Sequence, residues 1–347
     1  YAENPATPTA PSATGTNSAA IGNGATAVGQ HSFAIGNNTV AGASGNNYAI
    51  ATGTASEATG TMSIAAGGYL TKATAQHSVA LGSHANATAT YAVAIGNSYA
   101  SGTDSFAAVI DNNTSSYGAA GANSVAMGLQ AKATGSASLA LGRISNASAS
   151  YAISIGYRSV SSGLGSIAIG NQYYLGTPTA SGGASIAIGD EAKATQKFST
   201  ALGASSSSVI VGKYAYAGGE IGGHGDSQTG TLVLRTGTSD ATATALTSNN
   251  STASTNNQVI LPNNSAYGFT GTIVARQQAS GGTASAAWEI KGLIRREGSA
   301  GTTVLVNSAT TVLDNTPAWG MALTADTTNG GLAITVTGAA ATNIRWV

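Results

Sequence analysis

A five-residue motif, serine–apolar–alanine–apolar–glycine, recurs thirteen times between Ser18 and Gly203. No other feature restricts the fold as strongly. Clear copies are SFAIG (Ser32–Gly36), SVALG (Ser78–Gly82), SVAMG (Ser124–Gly128), SLALG (Ser138–Gly142) and SIAIG (Ser166–Gly170 and Ser185–Gly189). Weaker copies are NYAIA at Asn47–Ala51, SFAAV at Ser105–Val109 and STALG at Ser199–Gly203. The third position is Ala in twelve copies, with Ser154 the exception, and the last position is Gly in eleven. Successive copies are most often 14 residues apart, and two steps lengthen to 19. A short fixed period marks a stacked repeat architecture.

Fourteen residues are too few for a helical hairpin but suffice for one coil of two short strands and two turns. The motif alternates small and large side chains with the period of a strand. Phe33, Tyr48, Ile64, Val79, Val93 and Phe106 open the series of large positions. The closing Gly permits a tight turn. Small residues return three and five places later, as in Ala85/Ala87 and Ala131/Ala133, and predict a second strand. Asn, Ser, Thr and Gly fill the linkers, as turns require.

Both faces of the motif strand lack polar groups, and strands apolar on both faces are buried on both. One face is expected to fill the coil and the other to pack against neighbouring chains, for which a parallel homotrimer is the simplest closed solution. Thirteen coils rising ~4.8 Å each would make a rod of roughly 60 Å. The two 19-residue steps predict loops at 111–121 and 172–183, with Tyr117, Tyr173 and Tyr174 as surface-contact candidates.

Residues 15–205 resemble the head of trimeric autotransporter adhesins, the YadA-like head. That resemblance implies a left-handed parallel β-roll of 14-residue N-S-V-A-I-G repeats. Some heads of that family bind collagen or other matrix proteins. In those heads the binding runs through N-S-V-A-x-G repeats, and only Asn123–Gly128 (NSVAMG) matches that string closely, so the resemblance does not extend to collagen binding.

Thirteen basic and thirteen acidic residues in 347 give no net charge. No basic patch points to nucleic acid, and no long apolar run points to membrane insertion. Cysteine is absent, which removes disulfides and thiolate metal sites. Tyr1 as first residue suggests a fragment or processed chain. Residues 1–14 read as a Pro/Ala/Thr-rich linker and 206–230 as a Gly/Ser-rich connector.

From residue 231 the pattern changes to short β-rich runs separated by turn signals such as Pro262-Asn263-Asn264 and Asn329-Gly330-Gly331. This spacing predicts an antiparallel, jelly-roll-like β-sandwich over 231–347 with Trp288, Trp319 and Trp346 in its core. The segments LPNNSAYGFTGTIVARQ, AWEIKGLIRREGSAGTTVL, PAWGMALTADTTNGGLAITVTG and TNIRWV resemble the C-terminal domains of bacteriophage tail fibres. In such relatives further strands follow, so a final strand is expected beyond Val347. The fold class is therefore all-β: a parallel β-roll, then a sandwich, as a homotrimer.

No catalytic constellation emerges, so the chain is read as a non-enzyme without cofactors. His31 and His77 precede the repeat Ser, and His84 lies in the following turn. His224 is a weak metal candidate, three copies meeting at a trimer axis. GGEIGGHGD follows no Rossmann strand–helix pattern. Glu289, Lys291, Arg295 and Glu297 share an alternation face and predict a salt-bridge ladder.

Taken together, the two resemblances imply the fibre of a bacteriophage virion. It would be extracellular, joined to other virion proteins through a missing N-terminal part, and would contact a host glycan or envelope protein. The alternatives are the head of a bacterial trimeric surface adhesin, a polysaccharide-degrading tailspike, and a purely architectural appendage.

Overall fold

The computed structural model describes residues 7–109, 111, 116–172, 176–278, 282–315 and 319–347. The chain divides into two compact units, 1–192 and 193–347. The first is a parallel β-solenoid in which every coil gives one short strand to each of two sheets. Val79–Leu81 pairs in register with Val93–Ile95, and Lys72–Ala73 with Asn86–Ala87. Equivalent residues therefore stack, alanine upon alanine. Ala80, Ala94, Ala107, Ala126, Ala140 and Ala168 are all fully buried, as are Ala87, Ala100, Ala133 and Ala147 of the second strand.

The coil interior is thus built from methyl groups. At the exception, Ser154, the hydroxyl lies 2.8 Å from Ser159 O and 2.7 Å from Ser159 Oγ, so the polar group inside is satisfied. Several motif serines close the preceding turn, whereas the hydroxyls of Ser105, Ser124, Ser138 and Ser185 are buried without a side-chain hydrogen bond. Ser78 Oγ donates to Ala75 O at 2.7 Å, and Ser63 Oγ to Gly60 O at 2.7 Å. The motif glycine is needed for φ and for space. Gly142 has φ +118°, and a Cβ there would lie 2.7 Å from Gly156 O of the next coil.

Three details differ from the sequence reading. Phe33–Ile35 pairs with Ile50–Thr52, so the third coil uses Ala49–Gly53 and not Asn47–Ala51. Tyr48 is therefore a turn residue with φ +61° and not a large strand position. Chance alternation of Tyr, Ala and Ile disguised a two-residue slip. Ser12–Ala13 already pairs with Thr26–Ala27, inside the segment expected as a linker, because a two-residue strand needs only one small residue at the right place. In the second unit, two more coils run from Lys193 to Ala217, with Thr200–Leu202 paired to Tyr214–Tyr216. Lys213 and Ala217 replace the motif Ser and Gly there, which hid this copy within the expected connector.

Gln228–Thr231 then pairs antiparallel with Tyr214–Ala217 and covers its free edge. Beyond it lies a sandwich of two antiparallel sheets. One runs Thr236–Thr238, Ile344–Trp346, Ser265–Gln277, Ser285–Arg296, Val304–Asn315. The other centres on Gly331–Thr337, flanked by Gly320–Asp326 on one edge and by Thr244–Ala245 and Val259–Ile260. All three tryptophans are buried between the sheets as expected, with Trp346 6.0 Å from Trp288 and 5.8 Å from Trp319. Trp346 Nε1 donates to Thr238 Oγ1 at 2.9 Å. Among the described residues the one helical segment is a single 3-10 turn, Ala300–Thr302.

An interior of stacked methyl groups has no room for a larger side chain. Ala140→Leu is expected to destabilise the chain by about 1–3 kcal/mol, read as a lowered thermal midpoint, whereas Ala140→Ser, which coil 154 shows can be hydrogen-bonded, should cost less.

Candidate functional site

With alanine inside, the large motif residues point outward. In-register pairing lines them up across coils: Leu139 with Ile153 and Ile167, and Leu141 with Ile155 and Ile169. Leu81, Ile95, Met127 and Ile188 are 38%, 39%, 41% and 39% exposed. The first unit therefore carries a largely apolar face on one sheet, interrupted at Thr52, Ala66 and Ala108 in one column and including Phe33 and Phe106 in the other. Monomeric soluble proteins seldom expose a contiguous apolar face of this kind, and such faces mark interaction surfaces. The outward positions of the other sheet are mixed and polar. There Lys72 Nζ meets Glu57 Oε1 at 3.1 Å, one coil apart.

The turn between second strand and motif strand holds one left-handed residue per coil. Asn17 and Asn123, both at φ +57°, occupy it, as do His31 (φ +54°), His77 (φ +58°) and Tyr91 (φ +58°). Asn tolerates this backbone best among residues with a side chain, which is why Asn suits the position before the motif Ser. The histidines there form ring ladders. His31 stacks on Tyr48 at 5.0 Å, and His77 on Tyr91 at 4.7 Å. His84 lies edge-on to Tyr69 at 5.5 Å in the opposite turn.

Tyr117 is half-buried and packs on the alanine core. Tyr173 and Tyr174 lie outside the described residues. His224 Nδ1 faces Glu220 Oε2 at 3.2 Å, across one i,i+4 step. The glycine-rich stretch beside it is an anion nest already filled by its own chain. Asp226 accepts backbone N–H groups of Ile221, Gly222 and Gly223 at 3.0, 2.6 and 2.9 Å. Those bonds, led by that of Ile221, hold the Asp226 carboxyl below the usual range. Of the expected charge ladder, the described residues show one ion pair, Arg295 to Glu297 at 2.9 Å. Arg296 points elsewhere and donates to Leu261 O at 2.8 Å.

Lys213 was not singled out by the sequence reading. It stands where other coils have the buried motif Ser, and it is only 6% exposed. Burial pushes its ammonium down from the usual 10.5 to about 8.

A family model described as the YadA head domain repeat, two copies long, matches residues 13–39, 73–98, 119–143, 147–172 and 180–206. The matched segments fall on the coils whose interior is alanine and whose outer sheet face is aliphatic. None of the curated proteins compared matches the chain.

The Lys213 value gives a stability test. Its folded-state pKa lies below the unfolded one, so the buried ammonium destabilises the fold fully below about pH 8, and the penalty fades as pH rises toward 10.5. Lys213→Met should raise stability at pH 7 by on the order of 2 kcal/mol. The gain should shrink between pH 8 and 10.5 in denaturant titrations.

Proposed function

We propose that this chain is the head of a trimeric surface adhesin, an extracellular appendage that attaches by multivalent contact and performs no catalysis. The observation that carries the reading is the aliphatic outer sheet face on coils matching the YadA head repeat. Three chains sharing these faces would bury them, leaving the polar sheets and turn columns for contact with a surface. The match lies between residues 13 and 206. It favours the adhesin head over the virion fibre, which rests on the resemblance of the C-terminal segments alone. Binding of a host surface through three linked copies gains strength from effective concentration and not from any one tight site.

Particles displaying the full chain should attach to host cells or matrix-coated surfaces. A Leu141→Asp/Ile155→Asp variant keeps the alanine interior but charges the shared face. Its attachment is expected to fall by about 10²–10⁴-fold as trivalency is lost, with the coil signature in circular dichroism retained. Equal attachment by both proteins, or none by the parent chain, would sink the reading.

A further inference from the structure

The five-stranded sheet of the second unit carries a cationic groove on its outward face. Its register places Gly237 opposite Arg345, and Arg345 opposite Arg276 on the next strand. The alternating neighbours Ile344, Trp346 and Ala275 are buried, which turns both arginines outward. Leu234 packs on the core, so Arg235 shares that face. A groove of about 410 Å³ is lined by Arg235, Arg345, Asn250, Gln278, Asn343 and Ser239, among others. Among the described residues no carboxylate pairs with Arg235. Arg276 donates to the carbonyls of Gln277, Gly282 and Ala284 at 3.3, 3.4 and 3.3 Å and so braces the hairpin end that presents Gln278.

We propose that this groove binds an acidic saccharide, its carboxylate or sulfate held by Arg235 and Arg345. A guanidinium matches such an oxyanion with two parallel hydrogen bonds. Asn250, Gln278 and Asn343 supply amides that both donate and accept, as vicinal sugar hydroxyls demand. The volume suits one or two sugar rings and falls in the usual range for small-ligand sites. A peptide would call for an exposed aromatic or aliphatic anchor pocket. The groove's one aromatic side chain, Trp346, is buried beneath it. The inference deepens the adhesive reading by naming a receptor chemistry, and it places that chemistry outside the matched repeats.

The test is equilibrium binding of the full chain to heparin, polygalacturonate, polyglutamate and neutral dextran at two salt concentrations. Heparin or polygalacturonate should bind, more weakly at higher salt, and dextran should not. Arg235→Gln and Arg345→Gln should each weaken binding by about tenfold or more. Arg235→Lys, which keeps the charge and loses the fork, should fall between. Arg295→Gln, on the same face at the far end of the long hairpin, should leave binding unchanged, and thermal melts confirm that each variant is folded. Unchanged affinity in the Arg235→Gln/Arg345→Gln double variant overturns the proposal. So does equal loss with Arg295→Gln, binding of dextran, preference for polyglutamate, or failure of both acidic polysaccharides. Surface attachment is read separately: attachment without acidic-saccharide binding removes the groove proposal and leaves the adhesin reading intact. Arginine-dependent saccharide binding without attachment does the reverse.

Discussion

The close approach of two backbone layers across a column of alanine methyl groups governs the rest of the repeat region. Ala94 and Ala140 on the motif strand and Ala87 and Ala147 on the second strand are fully buried in it. Every bulky side chain of the motif must then go outward. The turns are constrained by the same geometry: at bends such as those of Ser63, Ser78 and Ser199 the serine hydroxyl satisfies a carbonyl three residues back, and glycine fits where the next coil's backbone passes. An interior of methyl groups buries little apolar area per residue, about 25 cal/mol per Å² removed from water. The larger store of apolar surface, the Leu, Ile and Met side chains, remains on the outside of one sheet. A single copy of the repeat unit thus leaves much of its apolar surface unburied, which is what the proposed association with other copies would cover.

The second unit solves its burial problem differently. Its three tryptophans lie between two antiparallel sheets, with the Trp346 indole N–H bonded to Thr238. The core is closed within one chain, and the outward sheet face carries the polar and charged residues. There the charged residues that composition makes scarce, thirteen basic in 347, gather as Arg235, Arg276 and Arg345. In the reading proposed above, assembly would draw on the aliphatic sheet of the solenoid and recognition on the arginine face of the sandwich.

Much of the solenoid was legible because a period of 14 and a strand alternation of two leave few alternatives. The alternation marked one face of small and one of large apolar side chains, and the structure decides between them by placing Ala of the third position inside. Where one residue served two patterns, the reading slipped. Tyr-Ala-Ile-Ala at 48–51 mimics the motif two residues early, and only strand pairing shows that Ile50 follows Phe33. Lys213 hid a coil because a buried lysine is not expected where serine belongs. The arginine groove was invisible for another reason. Residues 235, 276 and 345 meet only through antiparallel register over about a hundred residues of chain, and no local spacing encodes that meeting. The histidines, by contrast, followed the turn assignment: His31 and His77 occupy left-handed positions and stack on tyrosines.

The most direct test of the central claim is the mass of the purified chain in solution by light scattering, with and without the Leu141→Asp/Ile155→Asp substitutions. Three chains per particle for the parent and one for the variant are predicted. A parent that stays monomeric at high concentration would contradict the claim, because the aliphatic sheet would then stand exposed to water with nothing to cover it.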